Sequence, residues 1–297
     1  MKKVKNTIPV YDICTLNSSD HYNSPVIAEH FDKYLEAHPK LHLPHRHSFY
    51  HLVLFTKGGG FHTIDFEQFD VKAGQIYFMA PGQVHSWNFK GKTDGYVINF
   101  PEDVFDNFLS NKYYLEAFPF LQGIANEGVI DLDKTTSPEA RNIFETLVEN
   151  THTQPTQALD MIRVSLIRLF ILVNRSITIK DTNTARPHNQ LLLHNFRKLV
   201  DIHFAEKRLP KEYASLLYIT PNYLNALCND LIGESAGETI RKRILLEAKR
   251  LLINANYSIS EIALQLNFTD NSHFTRFFKK YTNTTPEEFR RSSLAHN

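Results

Sequence analysis

The sequence predicts a multi-domain chain: an N-terminal antiparallel β-barrel with flanking helices, then an all-α domain holding two helix-turn-helix units. Three observations carry this expectation. Between residues 41 and 100, short apolar runs are punctuated by Gly and Pro at roughly ten-residue spacing, the texture of a small barrel or sandwich. Beyond Pro101 the punctuation gives way to apolar residues recurring at i, i+3, i+4 and i+7. Finally, Ser258 to Arg291 spells out three short helices, each with its own start signal. A chain of 297 residues is long enough for two domains.

Residues 1–35 are mixed, with strands expected around Ile8–Tyr11 and Val26–Phe31. Further strands are expected near Tyr50–Phe55, Gly60–Phe66, Gln75–Met79, His85–Asn88 and Gly95–Phe100, with Gly58-Gly59-Gly60 as a turn able to take positive φ. Pro101–Ser110 reads as a short helix with Val104, Phe105 and Phe108 on one side. Pro138–Thr151 reads as a second, and Thr156–Ile177 as the longest, apolar at Leu159, Ile162, Leu166, Leu169, Phe170 and Val173. Lys180–Pro187 is polar, lacks apolar periodicity and ends in Pro, as an interdomain linker does.

From His188 the pattern is helical throughout. Leu191–Ala205 is a packing helix, and Lys211–Leu217 with Thr220–Leu231 forms the first helix-turn-helix. Thr220 is its cap and Pro221 its first turn, with Tyr223, Leu224, Leu227, Cys228 and Leu231 toward the core. Ser235 and Glu238 form a capping box that opens a longer connecting helix. Ser258 and Glu261 form another, followed by Ile259, Ile262, Ala263 and Leu266 on one face. Asn267 stands where that helix must stop. A second face then appears in Phe274, Phe277, Phe278 and Tyr281, opposite a polar, basic face of Ser272, His273, Arg276, Lys279 and Lys280. Thr285-Pro286-Glu287-Glu288 opens the third helix. The boundaries that follow are a barrel over 1–110, a helical segment over 111–179, a linker over 180–188 and the helix-turn-helix domain over 189–297.

Composition bounds the function. Hydrophobic content of 42% with 22% charge is that of a soluble globular protein. Lys2, Lys3 and Lys5 are followed by polar residues, so no leader peptide is expected. The most apolar stretch, Met161 to Val173, is broken by Arg163 and Arg168 and is too short to span a bilayer. With only Cys14 and Cys228, a reduced cytoplasmic protein without a disulfide is expected. Residues 190–297 hold 15 Lys and Arg against 11 Asp and Glu, +4, while the rest hold 18 against 21, −3. That asymmetry fits a nucleic-acid-binding part joined to one that does not bind it.

The Ser258–Arg291 run resembles the signature of the AraC/XylS family of transcription regulators. The matching residues are Ile262-Ala263, Phe268, Asp270, Ser272-His273-Phe274, Arg276-Phe277-Phe278-Lys279, Thr285-Pro286 and Phe289-Arg290. Asn267 and Asn283 stand where the family usually has Gly, and Asn is the next best choice for a left-handed turn. The N-terminal part resembles the cupin barrel of many such regulators, through His45-Arg46-His47, Gly58, Gly74, Pro81-Gly82 and His85. The resemblance implies a regulator, not an enzyme: it binds double-stranded DNA, senses a small molecule such as a sugar or other metabolite, forms a homodimer and touches RNA polymerase. No membrane contact is implied.

Recognition helices beginning at Thr220 and about Asp270, held apart by one connecting helix, suit consecutive major grooves about 34 Å apart. Asn222, Asn225 and Asn229 are candidates for base contacts in the first helix, and Asn271, Ser272, His273 and Arg276 in the second. Asn pairs with adenine edges and Arg with guanine. Lys279, Lys280, Arg290 and Arg291 are candidates for phosphate contacts, which set register and affinity. A solvated polar helix face is the plain alternative for any single one of these residues.

In the barrel, His45, His47 and His51 share parity on one strand, so all three are expected to point to one face, and His85 belongs with them by the cupin pattern. With Tyr77 and Trp87 they are the candidate effector-binding residues. Metal-binding cupins carry Glu where His51 stands, and regulators of this type usually lack metal. A four-histidine site for Zn, Fe, Cu or Ni is nevertheless chemically open, so a metal-dependent cupin enzyme with a DNA-binding tail is the competing reading.

Overall fold

A computed structural model describes residues 8–16, 25–111, 114–153, 157–180, 187–254 and 256–295. Residues 181–186, the heart of the expected linker, and Lys2, Lys3 and Lys5 lie outside them. The chain divides into two compact units, one spanning Pro9–Thr182 and the other containing Asn183–Asn297.

The first unit is β1 (Val10–Tyr11), α1 (Ile13–Leu16), β2 (Ile27–His30), α2 (Phe31–Ala37), β3 (His45–His47), β4 (Tyr50–Lys57), β5 (Gly60–Ile64), β6 (Glu67–Asp70), β7 (Gln75–Met79), β8 (Val84–Phe89), β9 (Asp94–Phe100) and β10 (Val129–Asp131), then α3 (Thr136–Thr153) and α4 (Ala158–Lys180). The strands form two five-stranded sheets, β1-β3-β8-β5-β6 and β10-β7-β4-β9-β2. Every pairing is antiparallel except β1 with β3. The expected barrel is thus a cupin-like pair of facing sheets.

The three central strands of the second sheet, β7, β4 and β9, are buried on both faces, with alternate side chains pointing to opposite sides. Leu52, Leu54, Ile76, Phe78, Ile98 and Phe100 pack with Phe144, Leu166 and Phe170 of α3 and α4. Val53, Phe55, Tyr77, Met79 and Val97 point the other way, into a core shared with Ile64 and Trp87 of the first sheet. The outward residues of the first sheet, among them Thr63, Ser86 and Asn88, are half-buried or exposed.

Several elements differ from expectation for local reasons. β5 stops at Ile64 because Asp65 and Phe66 take φ of 48° and 74°, the two-residue hairpin turn that matches strand twist. Gly60, at φ 79°, approaches the Asn88 carbonyl so closely that a Cβ would collide with it. Polar β6 and three-residue β10 carry too little apolar alternation to be visible beforehand. Phe31 opens α2 instead of ending a strand. The helix expected at Pro101–Ser110 shrinks to one 3-10 turn, Glu102–Phe105. α3 starts at Thr136 because the Asp133 carboxylate accepts from the Thr136 N–H and hydroxyl at 2.7 and 2.9 Å.

The second unit is α5 (Pro187–His203), α6 (Pro210–Leu216), α7 (Pro221–Ile232), α8 (Ala236–Leu252), α9 (Ile259–Gln265), α10 (Asn271–Thr282) and α11 (Pro286–Ala295). Phe196, Leu224, Ile244, Leu252, Ile262, Phe274 and Phe278 share one core around α8. The caps read from sequence close as hydrogen bonds. Thr220 Oγ1 accepts from Tyr223 N at 3.2 Å and Ser235 Oγ from Glu238 N at 3.2 Å, the latter a one-way cap and not the expected reciprocal box. Ser258 and Glu261 bond reciprocally at 3.1 and 2.6 Å, and Thr285 and Glu288 at 3.2 and 2.8 Å. Asn267 and Asn283 take φ of 53° and 61°. Arg208, just before α6, donates to the Leu266 and Asn267 carbonyls at the end of α9 and lies 4.0 Å from the Phe268 ring centroid. One guanidinium therefore ties the first helix-turn-helix to the second.

Candidate functional site

Two sites emerge, one on each unit. The first is the polar face of α7 and α10. Asp270 Oδ1 caps α10 by accepting from His273 N at 2.7 Å, which aims the start of that helix outward. Asn271, Ser272, His273, Arg276, Lys279 and Lys280 are all exposed, opposite buried Phe274 and Phe278. His273 is steered by a 3.2 Å contact of its Nδ1 with Thr269 Oγ1 and by Phe268 standing edge-on at 5.5 Å. Asn271 donates to Ser260 Oγ at 3.3 Å, linking α10 to α9.

On α7, Asn222, Ala226 and Asn229 are exposed. Asn225 is not part of that face. It is half-buried, and its Oδ1 accepts from Ala236 N at 3.1 Å, satisfying an orphan N–H at the start of α8. Tyr223, expected in the core, is 42% exposed and donates to Asn189 Oδ1 at 3.1 Å. Arg290 is also removed from the expected set. Its guanidinium donates to the Leu252 carbonyl at 3.0 Å and the Tyr257 carbonyl at 2.7 Å, closing the end of α8, whereas Arg291 is exposed. Tyr218, which no motif marks, sits in the turn between α6 and α7 at φ 56° with 96% of its surface in solvent.

The second site is the interior between the sheets. His45, His47 and His51 do not share a strand. The chain crosses between sheets at Ser48-Phe49, so His45 and His47 enter from β3 and His51 from β4 opposite. His85 of β8 faces His45, ring centroids 4.2 Å apart, and His47 lies 4.8 Å from His45, His51 and His85 alike. A fifth histidine, missed beforehand, joins them: His62 Nε2 lies 3.0 Å from His85 Nδ1. Its signal was its inward parity with Ile64 on β5. All five rings are at most 3% exposed.

Hydrogen bonds fix two of the tautomers. His45 Nδ1 lies 2.7 Å from the Leu43 carbonyl and His51 Nδ1 lies 2.6 Å from Asn99 Oδ1, with the Asn99 amide oriented by the Tyr34 hydroxyl at 3.2 Å. Those oxygens only accept, so Nδ1 carries the hydrogen and Nε2 the lone pair. The Nε2 atoms of His45, His47, His51 and His85 are buried without a hydrogen-bond partner, as are His62 Nδ1 and Trp87 Nε1. Each such atom costs on the order of 1–3 kcal/mol. Burial first, opposed by the Leu43 and Asn99 bonds, lowers His45 to about 4 and His51 to about 3. Burial and then mutual repulsion push His47, His62 and His85 well below the ordinary range, so all five are neutral imidazoles. Trp87 is 4% exposed, edge-on to Phe31 at 5.4 Å, and Tyr77 donates to Asp70 O and Gln75 Oε1 at 3.2 and 3.1 Å.

Comparison with known proteins matches both units. A helix-turn-helix domain family covers residues 213–292, and the AraC-like ligand binding domain family covers 34–166. The HTH-type transcriptional activator RhaS of Enterobacter sp. (strain 638) is 20% identical over 258 residues, 83% of this chain and 86% of that one. The HTH-type transcriptional activator RhaR of Yersinia pestis bv. Antiqua (strain Angola) is 21% identical over 260 residues, 83% of each chain. The probable transcription factor PqrA of Proteus vulgaris is 46% identical over 68 residues, 23% of this chain and 56% of that one. Among solved structures, ToxT of Vibrio cholerae is 14% identical over 82% of this chain and 90% of its own, with a TM-score of 0.43. These relatives are transcription factors rather than enzymes, and no helix among the described residues is long and apolar enough to cross a membrane. With a ligand-binding unit followed by a double helix-turn-helix, the chain belongs to the AraC family of DNA-binding transcription regulators.

Proposed function

We propose that the chain is a cytoplasmic, homodimeric transcription activator that reads DNA mainly through α10. The observation that carries this is the exposed basic face of α10, Arg276, Lys279 and Lys280, held outward by the Asp270 cap and the buried Phe274 and Phe278. Arg276 reads guanine, with Asn271, Ser272 and His273 beside it, and Lys279, Lys280 and Arg291 meet phosphates. α7 contains no Lys or Arg and contributes Asn222 and Asn229 as readers of adenine. The relatives' description as activators supports activation, through contact with RNA polymerase. Met161, Val164 and Ile171 leave an apolar stripe exposed on α4, which supports dimerisation along that helix.

The interior lined by His45, His47, His51, His85, Tyr77 and Trp87 receives the effector. An effector favouring one domain arrangement over another shifts the population that occupies the operator. Arg276→Ala is the direct test of the DNA reading. Loss of operator footprinting with an unchanged circular dichroism spectrum is the expected result, and undiminished protection refutes the role assigned to Arg276.

A further inference from the structure

We propose that the cluster between the two sheets is a transition-metal site in which His45, His47, His85 and His51 ligate one divalent ion through Nε2. The proposal rests on the reading of this unit as the sensor and specifies its ligand as, or as built upon, a metal ion.

Geometry comes first. One ligating atom from each of His45, His47 and His85 lies within 4.8 Å of the others, and all three side chains are buried. A tetrahedral ion bound to nitrogen at about 2.0–2.1 Å needs ligands roughly 3.3 Å apart, so small ring rotations close the set. His51 stands beside it, with ring centroids 4.8 Å from His47 and 5.4 Å from His85. It reaches in from the opposite sheet and supplies the fourth corner. Ring centroids 4.2 to 4.8 Å apart put the three imidazoles close enough for one ion to bridge them without moving the sheets.

The hydrogen bonding points the same way. A ligating histidine gives its lone pair to the metal and its other N–H to an acceptor, which fixes tautomer and ring orientation. His45 has this pattern with the Leu43 carbonyl, and His51 with Asn99. His85 completes it when Nδ1–H donates to His62 Nε2, which makes His62 a positioning residue. In each case the nitrogen left over, Nε2, is the buried atom without a partner. Imidazole packed as plain core has no reason to leave the Nε2 atoms of four rings without partners in one place. A donor set of neutral imidazoles suits Zn(II), Co(II), Ni(II) or Cu(II) and is wrong for Mg(II) or Ca(II), which take oxygen.

The test uses the full-length chain, stripped with chelator and offered Zn(II) or Co(II). Retention of one equivalent per chain through gel filtration is expected, with a rise in the melting transition followed by Trp87 fluorescence. The Co(II) form should show the intense visible bands of a four-coordinate site. His47→Gln and His85→Gln should lose stoichiometric metal, and His62→Gln should weaken binding about 10- to 100-fold. His152→Gln, an exposed control, should retain the full equivalent. Substoichiometric retention by the wild type, or full retention by His47→Gln and His85→Gln, overturns the proposal. If those variants do not fold, the wild-type Co(II) spectrum decides, and the faint bands of octahedral surface binding overturn it. An organic metabolite that stabilises the stripped chain while no metal is taken up would leave the sensor reading standing and remove the metal.

Discussion

Arg208→Ala should uncouple the two reading units of the DNA-binding half. The guanidinium is half-buried and donates to two carbonyls at the end of α9, Leu266 and Asn267, while stacking on Phe268. A hydrogen bond from a charged donor contributes about 1.5–3 kcal/mol net, and a stacked cation about 0.5–1 kcal/mol. Partial exposure weakens both bonds, so the expected loss is about 2–4 kcal/mol. Arg208→Lys keeps the charge but neither the fork nor the flat stack, and should lose roughly half of that. Guanidinium unfolding followed by far-ultraviolet circular dichroism reads the helices of both units, and the part of the signal that moves to lower denaturant reports the second. Trp87, the sole tryptophan, lies between the sheets of the first unit, so its fluorescence midpoint should not move. Operators offering two consecutive grooves should be bound less tightly by the variant, because α7 and α10 no longer hold one spacing. A change under about 0.5 kcal/mol, ordinary for a surface substitution, refutes the tether.

Three further outcomes follow from the described contacts. Lys279→Ala should flatten the dependence of log affinity on log salt by about one, whereas Asn229→Ala leaves the slope and weakens only adenine-containing sites. Arg290→Ala should lower stability by about 1–3 kcal/mol and leave that slope unchanged, because its donors satisfy the part-buried Leu252 and Tyr257 carbonyls; a flattened slope would return it to the phosphate set. Acid should destabilise the first unit in chelator-treated protein. The folded histidines titrate below their ordinary 6.5, at about 4 for His45 and about 3 for His51, so the unfolded chain takes up protons first as pH falls. The stability is fully present above about pH 6.5 and is lost on descending toward those lower values, at up to about 1.4 kcal/mol per pH unit per histidine. A melting temperature by Trp87 fluorescence that is flat between about pH 6.5 and 5 contradicts this.

What was legible in the sequence was what is local. Thr220, Ser235, Ser258 and Thr285 lie three residues from the N–H groups they satisfy, so their caps could be read by spacing alone. The left-handed turns at Asn267 and Asn283 were legible for the same reason. Asn225 and Arg290 were misplaced because each serves a distant helix end, 11 and 38 residues away, and nothing in a helix's own periodicity marks that duty. The strand crossing at Ser48-Phe49 was hidden because parity from His45 through His51 runs on undisturbed while the chain changes sheets. His62 carries no motif, and only its pairing across β8 brings it to His85.

The central strands β7, β4 and β9 of the second sheet have no face in water, since Leu52, Ile98 and Phe100 meet α3 and α4 while Val53 and Val97 meet the interior. Neutral drift is therefore closed to them, and a change at Val53 or Tyr77 is judged by packing on both flanks of the same strand. The β1-β3-β8-β5-β6 sheet is the freer partner, with Thr63, Ser86 and Asn88 turned toward solvent. That freedom stops at its inner face, where His45, His47, His62, His85 and Trp87 are at most 4% exposed, so variation is open on the outer face alone.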